Sequence, residues 1–183
     1  MTEQKLWKEK IWIIDTSSIL QIKHDGEMTA NEKELIWREL AEKVSGGQVG
    51  FPVQVLREIT KQGINDVPSE WASKMHEAHL ESSPGKDLFN PDKKFLDEIT
   101  SKVGNVVDGR KDRPKEEADP FILAAALELI NRGYEVTIIS EETKDIDPSE
   151  HLPRGKLSIR TAGKLLGIRT VRLREFLEGQ GWV

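Results

Sequence analysis

The stretch "KIWIIDTSSIL", Lys10 to Leu20, decides the fold. Ile11 to Ile14 form an apolar run without alternation, so the strand it predicts is buried on both faces, as at the centre of a parallel sheet. The run stops at Asp15, and Thr16, Ser17 and Ser18 follow, all short side chains able to bond backbone or metal. Two readings of Asp15 compete. It caps a helix that starts near Ser18, or it is one of several acids brought to the end of the strand.

After this strand the chain alternates helices and strands. "TANEKELIWRELAEKVSGG" is a helix opened by a capping box of Thr29 and Glu32, with Leu35, Ile36, Leu40 and Val44 at helical spacing and Gly46 and Gly47 at its end. "QVGFP" is a short strand and "VQVLREITKQG" a helix closed by Gly63. "PSEWASKMHEAHL" and "PDKKFLDEITSKV" are helices, each begun by a proline suited to a first turn. Residues 104–115, "GNVVDGRKDRPK", read as a mobile loop.

"ADPFILAAALELINRG" is apolar almost all round, hence a buried helix, opened by Asp119 and Pro120 and stopped by Gly133. "YEVTIIS" is a second buried strand, ending on Glu141 and Glu142. A short helix ("SIRTAGKLLG"), a strand ("IRTVRL") and a last helix ("REFLEGQGW") follow. Such alternation predicts an α/β fold, one domain over residues 1–183, with a parallel sheet flanked by helices on both faces.

Composition bounds the function. At 37% hydrophobic and 32% charged residues the chain is globular rather than disordered. No apolar run approaches the roughly 20 residues that cross a bilayer, and "MTEQKLWKEK" lacks a signal-peptide core. A cytoplasmic protein is expected. With no cysteine, disulfides and thiolate metal sites are excluded. The net charge of -5 argues against a surface coated in bases. Yet from 154 to 174 the bases Arg154, Lys156, Arg160, Lys164, Arg169, Arg172 and Arg174 run uninterrupted by any acid. This segment reads either as a phosphate-facing side or as an ordinary solvated face.

Ligands of open parallel sheets sit beyond the carboxyl ends of the strands. Asp15 lies at one such end, Glu141 and Glu142 at another; Asp119 opens the buried helix, and Glu58 lies within the helix after "GFP". Alone, Asp119 reads as a helix cap and Glu58 as a surface acid. Together they carry more weight, because two carboxylates ~4 Å apart repel by about 4 kcal/mol at an effective dielectric of about 20. Such a cluster calls for protons or a divalent cation, and oxygen-only ligands favour Mg²⁺ or Mn²⁺ over zinc.

"WIIDTSS", "VLREI", "EEADPFILAAAL" and "VTIISEE" resemble, in order and spacing, the four acidic motifs of the PIN-domain nucleases. "KELIWREL", "SEWASKM" and "FLEGQGW" resemble the larger prokaryotic subgroup, whose fourth motif carries glutamate. The resemblance implies a PIN-like three-layer fold with Asp15, Glu58, Asp119 and Glu142 as catalytic, metal-binding acids. Glu142 takes the fourth place because it stands two residues after Ser140, and Thr16, Ser17 and Glu141 have supporting places. It further implies a Mg²⁺- or Mn²⁺-dependent endoribonuclease, with DNA left open as a substrate and the basic segment on the flanking phosphates. A toxin role with an antitoxin partner, and a homodimer, belong to the same expectation. Where many PIN domains have aspartate this chain has glutamate, one methylene longer.

Rival readings are weaker. A haloacid-dehalogenase-type phosphatase needs a second aspartate where Ser17 stands. No "GxxxxGK" loop is present, and His76 with His79 lacks a third zinc ligand. Residues 161–177 also resemble a helix-turn-helix that would bind nucleic acid, although β-branched "IRTVRL" argues for a strand. A catalytically silent PIN-like module that binds RNA or a partner is the remaining alternative.

Overall fold

The isoleucine- and valine-rich runs become a four-stranded, all-parallel sheet. The computed structural model describes residues 9–61, 66–82, 88–103, 117–142 and 157–183. Strand β1 (Lys10–Ile14) leads into α1 (Thr16–His24) and α2 (Ala30–Ser45), then β2 (Val49–Gly50), α3 (Val53–Thr60), α4 (Val67–Ser82) and α5 (Lys93–Lys102). Next come α6 (Asp119–Asn131), β3 (Glu135–Ile139), α7 (Ile159–Leu166), β4 (Arg169–Val171) and α8 (Leu173–Gln180). The sheet order is β2-β1-β3-β4. With helices flanking it, the expected α/β three-layer architecture is present.

Burial follows the chemistry of each run. Ile11, Ile13 and Ile14 of β1 and Val136, Ile138 and Ile139 of β3 are buried, and Trp12 is edge-on to Phe176 of α8 at 5.1 Å between ring centroids. The capping box of α2 forms as read: Thr29 accepts from Glu32 N–H at 3.3 Å, and Thr29 N–H donates to the Glu32 carboxylate at 2.7 Å. Helix α6 buries most of its circumference, including Leu123, Ala124, Ala125 and Leu129. Its one buried acid away from the start, Glu128, pairs with Arg132 and accepts from Asp92 N–H at the α5 cap position at 2.7 Å. The short β2 strand also packs closely: a Cβ on Gly50 would lie 2.0 Å from the Phe89 ring.

Several expectations shift. Helix α1 begins at Thr16 rather than near Ser18, and Pro91 precedes the α5 cap residue Asp92 instead of occupying the first turn. The cap position of α6 is Ala118, so Asp119 is already helical. The helix-turn-helix reading of 161–177 fails: Arg169–Val171 is a strand whose residues pair with Thr137–Ile139 of β3. The extended, β-branched backbone between the two helices prefers a sheet ladder to a tight helical turn. Gly63, the loop 104–115, and Arg154 and Lys156 lie outside the described residues. Among the described residues no helix is long and apolar enough to cross a membrane.

Candidate functional site

The chain runs from β1 outward to β2 on one side and then returns to place β3 on the other side of β1. That reversal makes β1 and β3 a topological switch point, and in an open parallel sheet the crevice for a ligand is expected beyond the carboxyl ends of two such strands. Pairing continues one step past the strands. Asp15 N–H donates to Ile139 O at 3.0 Å, and Ser140 N–H donates to Val171 O at 3.0 Å. Since Ile14 is opposite Ile139, Asp15 and Ser140 become neighbours at the crevice.

Asp15 stands at the cap position of α1, and its backbone carbonyl accepts from Ser18 and Ile19 N–H. Its side chain makes no capping bond. Instead Oδ2 accepts from Ser17 Oγ at 2.6 Å and from Ser140 Oγ at 2.9 Å. The residue is 4% exposed. Burial pushes its carboxyl up from 3.8 to about 6; the two hydroxyl bonds oppose this, and the negative charges of Glu142 and Glu58 add to it. The side-chain cap reading of Asp15 is therefore replaced by a buried acid among other acids.

Glu58 arrives from α3. Its Oε2 accepts from Thr16 Oγ1 at 2.6 Å and its Oε1 from Ala118 N–H at 2.9 Å. Asp119 follows directly on that amide and is buried, at 6% exposed. Ala118 rather than Asp119 holds the cap position of α6, so the cap reading of Asp119 fails as well.

The two glutamates after β3 separate. Glu142 N–H donates to Ser140 Oγ at 3.3 Å, while its Oε2 accepts from Ile159 N–H at the start of α7 at 2.5 Å. Glu141 N–H donates to Ser17 Oγ at 3.1 Å, and its Oε1 accepts from Leu173 N–H at the start of α8 at 2.6 Å. Both carboxylates thus satisfy orphan amides at the start of a helix. The charge of Glu142 helps to raise the Asp15 carboxyl.

Two residues escape the sequence reading. Ser140 is the second hydroxyl on Asp15; its signal was available, because it ends "VTIIS" in register with Asp15. Glu117 is buried, at 4% exposed, one residue before Ala118, where its place after a charged loop predicts solvent. The basic residues do not line one face. Arg172 directly follows β4 and so reaches the crevice end, whereas Arg169 opens β4 at the opposite end, 3.5 Å from Glu175. Arg174 pairs with Glu27 at 2.9 Å and Glu178 at 3.1 Å. Lys164 is exposed and Arg160 half-buried on α7.

Carboxylates and hydroxyls are hard oxygen donors, and the charge they concentrate suits a divalent cation such as Mg²⁺ or Mn²⁺. In chemistry and charge the residues fit that group. Among the described residues no three His, Asp or Glu side chains already stand as a group able to hold a metal ion. A family model described as a domain of unknown function, DUF4411, matches residues 12–183, which includes all four proposed acids. No curated protein and no solved structure matches the chain.

Proposed function

We propose that this chain, which belongs to the DUF4411 family, is a metal-dependent endoribonuclease of the PIN-domain kind, acting at the crevice beyond β1 and β3. The observation that carries the reading is Asp15: buried at a topological switch point, raised to about 6, and acted on by the charges of Glu142 and Glu58 from other parts of the chain. Core packing alone has no use for such an arrangement, because burying charge costs free energy unless something neutralises it. Asp15, Asp119 and Glu142, with Glu58 beside them, would hold Mg²⁺ or Mn²⁺. When bound, that ion supplies an acidified water and charge neutralisation at the phosphate.

The chain's own residues do the rest. Ser17 and Ser140 both donate to Oδ2 of Asp15, which fixes the carboxylate while no described residue donates to Oδ1. Glu142 and Glu141 are held at helix ends by Ile159 and Leu173 N–H, so the crevice wall keeps its shape as charge develops. Arg172, exposed at the same end of the sheet, meets a flanking phosphate of the RNA. A toxin role, with an antitoxin protein as partner, extends the same resemblance.

The test is a thermal melt with and without MnCl₂, run beside cleavage assays on RNA and single-stranded DNA. A Mn²⁺-dependent rise in melting temperature is expected through mass action, with RNA cut in the presence of the ion. A second reading, a catalytically silent module that binds RNA or a partner, is favoured by one observation: Glu58 and Glu142 are already engaged by helix-end amides. A protein that binds RNA but neither responds to Mn²⁺ nor cuts would establish that alternative.

A further inference from the structure

We propose that Glu58 is a positioning residue that braces the crevice, and that the ion-holding acids are Asp15, Asp119 and Glu142. The inference rests on the proposed metal centre for its consequence, but the brace itself is a matter of hydrogen bonds. Each oxygen of the Glu58 carboxylate accepts from a protein donor: Oε2 from Thr16 Oγ1 at 2.6 Å and Oε1 from Ala118 N–H at 2.9 Å. These donors are 42 and 60 residues away in sequence. One adjoins Asp15 and the other adjoins Asp119. A single carboxylate on α3 therefore ties together the two segments that carry the aspartates.

The local reason lies at the start of α6. Alanine at its cap position has no side-chain acceptor, and no side-chain capping bond forms there. The amide of Ala118 would otherwise be an orphan donor in a buried place. Glu58 reaches across from α3 and does what a cap residue would do. Its second oxygen then fixes Thr16, the residue immediately after Asp15. Outer partners of this sort typically cost about 10–100-fold in metal affinity when removed, without being ligands.

Glutamine can do the same job without the charge. Its Oε1 can accept from Ala118 N–H while its Nε2 donates to the Thr16 hydroxyl, which accepts as well as it donates. The experiment compares wild type, Glu58→Gln, Glu58→Ala and Thr16→Val in thermal melts in EDTA and in Mn²⁺ titrations followed by melting temperature, with Asp15→Asn as the ligand-loss control. In EDTA, Glu58→Gln is expected to melt close to wild type, with Thr16→Val lower and Glu58→Ala lowest. In Mn²⁺ the same order is expected, with Glu58→Gln losing less than about tenfold in affinity and Thr16→Val weakened although valine replaces no carboxylate.

If Glu58→Gln loses Mn²⁺ as completely as Asp15→Asn while Thr16→Val behaves as wild type, Glu58 is a ligand and the brace is overturned. If Glu58→Gln and Glu58→Ala melt alike in EDTA, the brace is overturned irrespective of metal. A wild type that ignores Mn²⁺ removes the metal centre, and the EDTA series then decides the brace by itself.

Discussion

Replacing Asp15 with Asn in metal-free protein tests the electrostatics of the crevice directly. The carboxyl of Asp15 is raised from 3.8 to about 6, by burial first and by the charges of Glu142 and Glu58 after it. A group that binds its proton more tightly when folded stabilises the protein most below its unfolded value. That contribution is lost as pH rises from near 4 through about 6, and stays lost above. At about 1.4 kcal/mol for each tenfold change in proton affinity, the loss is about 3 kcal/mol. Asparagine carries no charge at any pH, and its amide can still meet the Ser17 and Ser140 hydroxyls. At pH 8 in EDTA, Asp15→Asn should therefore be more stable than wild type by up to about 3 kcal/mol, or about 6–12 °C in melting temperature for a chain of this size. At pH 4 the two should agree within about 0.5 kcal/mol. Urea unfolding followed by tryptophan fluorescence at pH 4, 6 and 8 measures the difference. A gap that does not widen with pH, or an Asp15→Asn protein less stable at pH 8, would refute the buried-charge account.

Three further outcomes are expected. Asp119→Asn should match or exceed wild-type stability in EDTA while weakening Mn²⁺ more than about tenfold and lowering RNA cleavage; full cleavage with an intact Mn²⁺ response would remove Asp119 from the centre. Arg172→Glu should reduce the slope of log affinity for RNA against log salt by about one, whereas Arg169→Glu, altering the far end of β4, should leave it unchanged; equal effects would place both arginines on the same footing. Gly50→Ala should destabilise by about 3 kcal/mol or more, because its Cβ would lie 2.0 Å from the fully buried ring of Phe89; wild-type urea unfolding in this variant would show that the ring can move.

How much was legible can be followed residue by residue. The parallel sheet was legible because Ile11–Ile14 and "VTII" are unbroken runs of β-branched and aromatic residues separated by helical periodicity, and burial on both faces leaves few other folds for such runs. The α2 capping box was legible because its two partners are three residues apart. The positions of Asp15, Glu141 and Glu142 just past the strand ends were legible, since strand-end placement is local information. Their division of labour was not. Whether Glu58 faces solvent, an ion or an amide depends on Ala118, sixty residues on.

The sequence by itself determined the alternation of elements, the buried strands and the candidate acids, because each rests on neighbours within a turn or a strand. Tertiary structure alone decided what those acids touch. It turned Asp15 from a cap into a buried carboxyl, carried Arg169 and Arg172 to opposite ends of one strand, and set Glu141 and Glu142 on different helices. The physical reason is common to all three. A polar side chain takes whichever partner the packed elements bring within about 3 Å, and strand register and helix placement, not chain proximity, decide which partner that is.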